Sequence, residues 1–282
     1  MYEENAAVSH RSWPAPAKLN LFLHVLGRRD DGYHELQTVF RFLDYSDELT
    51  FEIREDGKVT RQGNDEIPAT DDLCVHAARL LQNVTGASLG SHIRITKRIP
   101  IGGGLGGGSS DAATTLIALN RMWRLGLSTA ELMELGLRLG ADVPVFIGGR
   151  TAWAEGVGER LSPLTLADQW YLVLVPPVSV STARIFTGYK LTPDSRPITI
   201  RDFLAGMGRN DLESMVGEIY PEIGSALRWL GQHGAARMTG TGSSVFLPVD
   251  SAEHGRRILA KRPPECRGFI ARGVNFHPLF EA

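Results

Sequence analysis

Hydrophobic positions change period several times along this chain, and each change predicts an element. Leu19, Leu21, Leu23 and Val25 alternate with Lys18, Asn20, Phe22 and His24, the period-2 pattern of a strand covered on one face. Lys18 and Asn20 therefore point the same way. The Asp31–Gly32 turn signal follows, and "ELQTVFRFLD" reads as a returning strand, so a hairpin is predicted. Further strands are expected over 48–54 and 92–96. Beyond a run of glycines, Ala112, Ala113, Leu116, Ile117, Leu119 and Trp123 recur at helical spacing, predicting an amphipathic helix from near Ser109. Another helix is expected through "STAELMELGLRL", with Ser128 as N-cap, Glu131 closing a capping box and Gly140 as its stop.

The pattern lapses over 161–169 before the apolar "WYLVLVPP" opens a new strand. This lapse predicts two domains, 1–165 and 166–282. The second holds an expected helical stretch over 210–232, interrupted at Pro221, and a strand in "SSVFLPV". The fold class is α+β.

Composition then narrows the partners. A chain of 282 residues, 43% hydrophobic and 22% charged, reads as a soluble globular protein with a sizeable core. Its formal net charge of -2 supplies no broad cationic field, which argues against nucleic acid or membrane and for a small-molecule partner. Monomer and homodimer stay open. Cys74 and Cys266 lie far apart with no C-x-x-C spacing, against a disulfide framework or structural zinc and in keeping with the reducing cytoplasm. No apolar stretch reaches the roughly 18 residues of a membrane span. The first dozen residues read as an extension without a motif, and Arg256, Arg257, Lys261, Arg262 and Arg267 as a solvated face.

The chemistry concentrates in "PIGGGLGGGSSDAA", from Pro100 to Ala113, with six glycines in the seven positions 102–108. Such bare backbone ahead of a helix turns successive N–H groups toward one point, where the helix dipole adds to the attraction for phosphate. So many glycines imply a ligand touching the backbone. Ser109 and Ser110 offer hydroxyls to cap the helix or to reach phosphate oxygens and an accompanying magnesium ion. A P-loop fails, because Ser109 stands where G-x-x-x-x-G-K-[ST] needs lysine. Gly102, Gly104 and Gly107 satisfy the dinucleotide pattern G-x-G-x-x-G, but the acidic strand end wanted some 20 residues on is replaced by "RLGLSTAELMEL". A nucleotide-kinase loop of another architecture remains.

With this loop, "PAKLNLFL" at 16–23 and "MTGTGSSVF" at 238–246, the chain resembles the GHMP kinase superfamily. The resemblance implies a two-domain fold of mixed sheets covered by helices, with the active site in a cleft between the domains. Within the superfamily, "AKLNLFLHVLGRRDDGYHELQTVF", "GADVPVFIGGRTAWAEGVGE" and "VSVSTARIF" are similar to the branch that phosphorylates a cytidine diphosphate ester of methylerythritol with Mg2+ and ATP. The likeness runs through most of the chain from about Ala15.

Carried over by residue, it implies that Asp142 removes the proton of the attacking hydroxyl, with Lys18 beside it. The loop Pro100, Ile101, Gly102, Gly103, Gly104, Leu105, Gly106, Gly107, Gly108, Ser109 and Ser110 would embrace the triphosphate. Tyr33 and Phe186 would sandwich the cytosine and His34 read its edge. Asn20 and Thr182 would place the substrate, Lys97 would lie on the substrate side, and Gly240 and Gly242 near the phosphates.

Each residue also has a plainer reading. Asp142, before Val143-Pro144, can be a helix N-cap, and Lys18 an exposed strand-edge lysine. Tyr33 can be a packed turn aromatic, His34 and His24 ordinary strand histidines, Thr239 to Ser244 a plain loop, and Asp111 a first-turn carboxylate favoured by the helix dipole. The last is the expected reading for Asp111, and His24 is expected to be structural. Two functional alternatives stay open: a kinase for another small alcohol, of the homoserine or mevalonate type, and a nucleotide-binding module without catalysis.

Overall fold

The computed structural model describes residues 11–188 and 195–280, so the expected extension over residues 1–10 lies outside the described residues. Strands β1 (Trp13–Arg28) and β2 (His34–Arg54) form the predicted hairpin. Its turn needs Gly32, which takes φ 88°. The stretch 48–54 is no separate strand but the far end of the 21-residue β2. The one-face reading of β1 is corrected too, since Lys18, Asn20, Phe22 and His24 are as buried as their apolar neighbours. The cause is tertiary. A register shift between Asn20 and Leu23 breaks the strict alternation, while Trp153 and Phe203 cover Phe22.

Along the chain follow β3 (Val59–Gln62), α1 (Leu73–Thr85), β4 (Gly90–Thr96), α2 (Gly107–Met122), α3 (Thr129–Leu137), α4 (Val143–Gly148), β5 (Ala152–Gly156) and β6 (Arg160–Pro163). Then come β7 (Gln169–Val175), α5 (Thr182–Gly188), α6 (Ile200–Leu204), α7 (Glu213–Ile219), α8 (Pro221–Gly231), β8 (Arg237–Met238), β9 (Val245–Val249), α9 (Ala252–Leu259) and β10 (Arg267–Val274). The strands form one sheet in the order β3-β4-β2-β10-β7-β9-β8, with β1 and β5 also on β2 and β6 on β5. Only β3–β4 is a parallel pair among the described strands, which makes the sheet mixed.

Helices α1 to α4 supply one core against the sheet through Ala77, Leu81, Ala113, Leu116 and Phe146. A second core joins β7 and β9 to α7 and α8 through Leu172, Leu247, Val216 and Ile223. β1 takes part in both and in a third cluster containing Leu19, Phe22 and Trp153. It is the strand that the three clusters share.

The capping box at Ser128 and Glu131 is present, but α3 ends at Leu137 with Arg138 as its C-cap, not at Gly140. Gly140 keeps a right-handed φ and its N–H still reaches Gly136 O at 3.1 Å. Pro221 divides the stretch 210–232 as expected, standing at the first position of α8. The five basic residues near the C-terminus are exposed.

Candidate active site

β1 delivers Lys18 and Asn20 to one buried corner, each only 3% exposed. A buried ammonium is stable only when paired and hydrogen-bonded. Lys18 Nζ stands 3.1 Å from Asp142 Oδ2, donates to Asn20 Oδ1 and lies 5.4 Å from the Phe40 ring centre. Asn20 is held in turn, its Nδ2 donating to Thr38 Oγ1 at 3.0 Å and its backbone N–H to Thr239 Oγ1 at 2.9 Å. Asp142 occupies the N-cap position of α4 but makes no capping hydrogen bond. Its carboxylate pairs with Lys18 instead, leaving 33% of the side chain exposed. The strand-edge lysine and the helix-capping aspartate are thus both ruled out by geometry.

The glycine loop turns at Gly102, Gly104 and Gly106, with φ of 69°, 73° and 74°. Its glycines are required by more than a ligand, which qualifies the sequence argument. A Cβ on Gly104 would lie 2.4 Å from Thr239 O, and one on Gly106 would lie 3.0 Å from Lys18 Cε. The Lys18 N–H donates to Leu105 O at 2.9 Å and the Ser244 N–H to Gly103 O at 3.0 Å, so the loop is fastened to both other motifs. Helix α2 starts at Gly107, two residues before Ser109, and is entered from left-handed Gly106 with no side-chain cap. The expected serine cap is absent because a left-handed glycine already makes the turn. Ser110 Oγ is buried without a protein partner.

Lys97 is not gathered with Lys18, Asn20 and Asp142. Its ammonium is clamped by Asp47 and by Asp111 Oδ2, the latter at 2.7 Å, and lies 3.4 Å from where a Cβ on Gly107 would sit. It therefore stands behind the glycine loop. Asp111 is the fifth residue of α2, not a first-turn carboxylate. Burial, with Asp47 close by and Lys97 opposing, raises its pKa to about 7. Two carboxylates share one ammonium here, so one of them holds its proton more tightly. Burial opposes the charge on Lys97, but Asp111 and Asp47 outweigh it and raise its pKa.

Around the second glycine turn, a Cβ on Gly240 would meet Asn20 Oδ1 at 3.3 Å and Lys18 Nζ at 3.6 Å. This turn is no plain loop. Gly242, at φ 87°, donates its N–H to Thr239 O at 2.9 Å. Thr182, which opens α5, is exposed, and its Oγ1 lies 3.0 Å from Thr241 Oγ1. The His34 and Phe186 rings stand 5.2 Å apart. Tyr33 is 63% exposed, so it is not a packed turn aromatic. Burial, then Arg28, lowers the His34 pKa, leaving a neutral imidazole with one donor and one acceptor nitrogen. His24 Nε2 accepts the Arg209 N–H at 3.3 Å, a structural contact.

Sequence reasoning missed Thr38, Asp47 and Asn210 and gave Thr239, inside the second glycine motif, no role of its own; all four are buried polar residues that hold the site. The only local signal was Asn210-Asp211 ahead of a helical run; for the others the partner is a distant residue.

Residues 72–150 match the model of the GHMP kinases N terminal domain, and 191–265 that of the GHMP kinases C terminal. A 4-diphosphocytidyl-2-C-methyl-D-erythritol kinase of Aromatoleum aromaticum is 58% identical over 94% of each chain. One of Alkalilimnicola ehrlichii is 57% identical over 94% of this chain and 91% of its own. Among solved structures, a 4-(cytidine 5'-diphospho)-2C-methyl-D-erythritol kinase superposes with TM-score 0.82 at 33% identity, over 93% of this chain and 99% of that one. Mevalonate kinase of Methanococcus jannaschii shares the fold, with TM-score 0.71 at 17% identity over 95% of this chain and all of that one. With the three glycine and lysine motifs meeting at one corner, the chain belongs to the 4-diphosphocytidyl-2-C-methyl-D-erythritol kinase family of the GHMP kinases.

Proposed function

We propose that this chain transfers the γ-phosphoryl group of ATP to the 2-hydroxyl of 4-diphosphocytidyl-2-C-methyl-D-erythritol, in the non-mevalonate route to isoprenoid precursors. The observation that carries this reading is the Lys18–Asp142 pair at 3.1 Å, set beside the glycine loop by the Lys18–Leu105 backbone bond. Phosphoryl transfer asks a protein mainly to position reactants and stabilise charge. Asp142 takes the hydroxyl proton, the freed oxygen bonds to the γ-phosphorus, and the bond to the β–γ bridging oxygen breaks as ADP leaves. Lys18 sets its ammonium against that carboxylate, while Asn20 fixes the ammonium.

The loop from Pro100 to Ser110 presents its amides to the triphosphate at the start of α2. Magnesium, when bound, neutralises charge on the phosphates. The buried, unpartnered Ser110 hydroxyl fits a role as its protein oxygen. Among the described residues no group of three or more His, Cys, Asp or Glu could hold a metal, so the ion would arrive on the nucleotide. Tyr33 and Phe186 enclose the cytosine with His34 at its edge, Thr182 and Thr241 with Gly240 and Gly242 place the diphosphate side, and Lys97 supports the loop. Residues 1–165 then serve as the ATP-binding domain and 166–282 complete the substrate site.

The 63% exposure of Tyr33 favours a flat-base substrate over a small alcohol, for which that ring would have no task. No helix among the described residues is long and apolar enough to cross a membrane. Both cysteines are free and buried, as suits the reducing cytoplasm proposed for it.

A coupled ADP-release assay with the cytidyl ester, homoserine and mevalonate tests the assignment. Turnover is expected with the first alone; turnover of either alternative without the first would discard it.

A further inference from the structure

Asn210 lies between α6 and α7, outside every motif named above, and is 6% exposed. Its Nδ2 donates to Met238 O at 2.9 Å and to Gly240 O at 2.8 Å, while its Oδ1 accepts the Leu212 N–H at 3.0 Å. Glu213 Oε2 accepts the Met238 N–H at 2.7 Å. Both backbone polar groups of Met238 are therefore held by side chains from one turn. That turn is itself tied to β1. The Leu23 N–H donates to Arg209 O at 2.9 Å, the Asp211 N–H to Leu23 O at 2.9 Å, and the Val25 N–H to Asp211 Oδ2 at 2.8 Å.

Asn210 thus spans from the strand that carries Lys18 and Asn20 to the turn whose Thr239 is bonded to Asn20. A Cβ on Gly240 would stand 3.3 Å from Asn20 Oδ1 and 3.6 Å from Lys18 Nζ, and Thr239 Oγ1 receives the Asn20 N–H. We propose that Asn210 is a positioning residue for phosphoryl transfer: by gripping the carbonyls of Met238 and Gly240 it seats the glycine turn against Lys18 and Asn20, and so fixes the ammonium that pairs with Asp142. It touches no reactant. Gripping two carbonyls at once requires the two protons of a side-chain NH2. Aspartate, of the same shape, would set an oxygen against both carbonyls, and a half-satisfied buried network loses its geometry. A misplacement of about 1 Å at the reacting groups lowers the rate about 100-fold.

The inference rests on the Lys18–Asp142 reading, so its test uses the full chain and a cycle of variants. Asn210→Asp and Asn210→Ala are each made alone and with Lys18→Met, and kcat, equilibrium ATP affinity and melting temperature are measured. Each single Asn210 variant is expected to lower kcat about 10- to 100-fold, with ATP affinity kept within about threefold. In the Lys18→Met background the same change is expected to cost less than about threefold, because the group it positions is gone.

An unchanged kcat, a fully multiplicative cycle, or equal losses of kcat and ATP affinity would each overturn the inference. If Asn210→Asp does not fold, Asn210→Ala decides; if neither folds, Asn210 serves folding and the proposal falls. An inactive wild type would instead sink the proposed function.

Discussion

In the proposed site, the corner that holds Lys18 and the mouth that holds Tyr33 are built in opposite ways. Lys18 and Asn20 are 3% exposed, and their polar ends are partnered by an ion pair, an amide contact and a threonine hydroxyl. Tyr33 is 63% exposed on a hairpin turn, and Thr182 is exposed at the first residue of a seven-residue helix. Groups that act on developing charge gain most when they need no reorganisation, whereas a flat base can be stacked by rings that settle on arrival. The corner is expected to control kcat and the mouth to control KM.

Asp142→Asn tests this split most severely. The amide cannot accept the hydroxyl proton, so kcat is expected to fall about 10²- to 10⁴-fold, with ATP affinity retained by equilibrium titration. A variant that keeps its turnover would end the claim that the corner does the chemistry.

Two glycines sharpen the contrast in stability. Gly104 has φ 73° and a would-be Cβ 2.4 Å from Thr239 O, while Gly32 has φ 88° and open space. Gly104→Ala adds a backbone clash to the left-handed strain and is expected to destabilise by about 2–4 kcal/mol and to weaken ATP binding. Gly32→Ala bears the strain alone, about 1–2 kcal/mol. Urea denaturation compares them, and equal losses would mean that the corner is no more tightly packed than the mouth.

Tyr33→Ala removes one stacking surface, worth about 1–3 kcal/mol per base. It is expected to lower kcat/KM for the cytidyl ester about 10-fold, almost wholly through KM, with the urea midpoint unmoved. A loss in kcat alone would blur the two regions.

A last contrast concerns the support behind the loop. Folded Asp111 holds its proton more tightly than the unfolded chain, with a pKa of about 7 against 3.8. Its stabilising contribution is full below about pH 4 and is lost as the pH rises through about 7. Asp111→Asn should flatten that part of the stability–pH curve, read as urea midpoints between pH 4 and 8. An unchanged slope would assign it to other groups.

Signals confined to a few neighbouring residues were readable in advance. Asp31–Gly32 makes its turn by local backbone preference, Ser128 and Glu131 close a box within one helical turn, and Pro221 breaks a helix through its own ring. The buried polar face of β1 was not readable, because alternation says only that two sets of residues diverge. What covers the second set comes from Trp153, Phe203 and Thr239, more than a hundred residues away. Lys97 fell into the same gap. Its two carboxylates come from β2 and α2, and no spacing announces them.

The order of residues alone determined the hairpin turn, where α2 and α3 begin to within two residues, and that bare backbone meets a helix start. These follow from dihedral preferences and neighbouring hydrogen bonds, which act within a turn or two. Only the folded molecule decided that Asp142 turns from its helix to Lys18, that Gly104 yields to Thr239, and that Asn210 grips the second glycine turn. A buried charge or amide takes its partner from whatever packing brings within about 3 Å, and that is a property of the whole sheet and its helices.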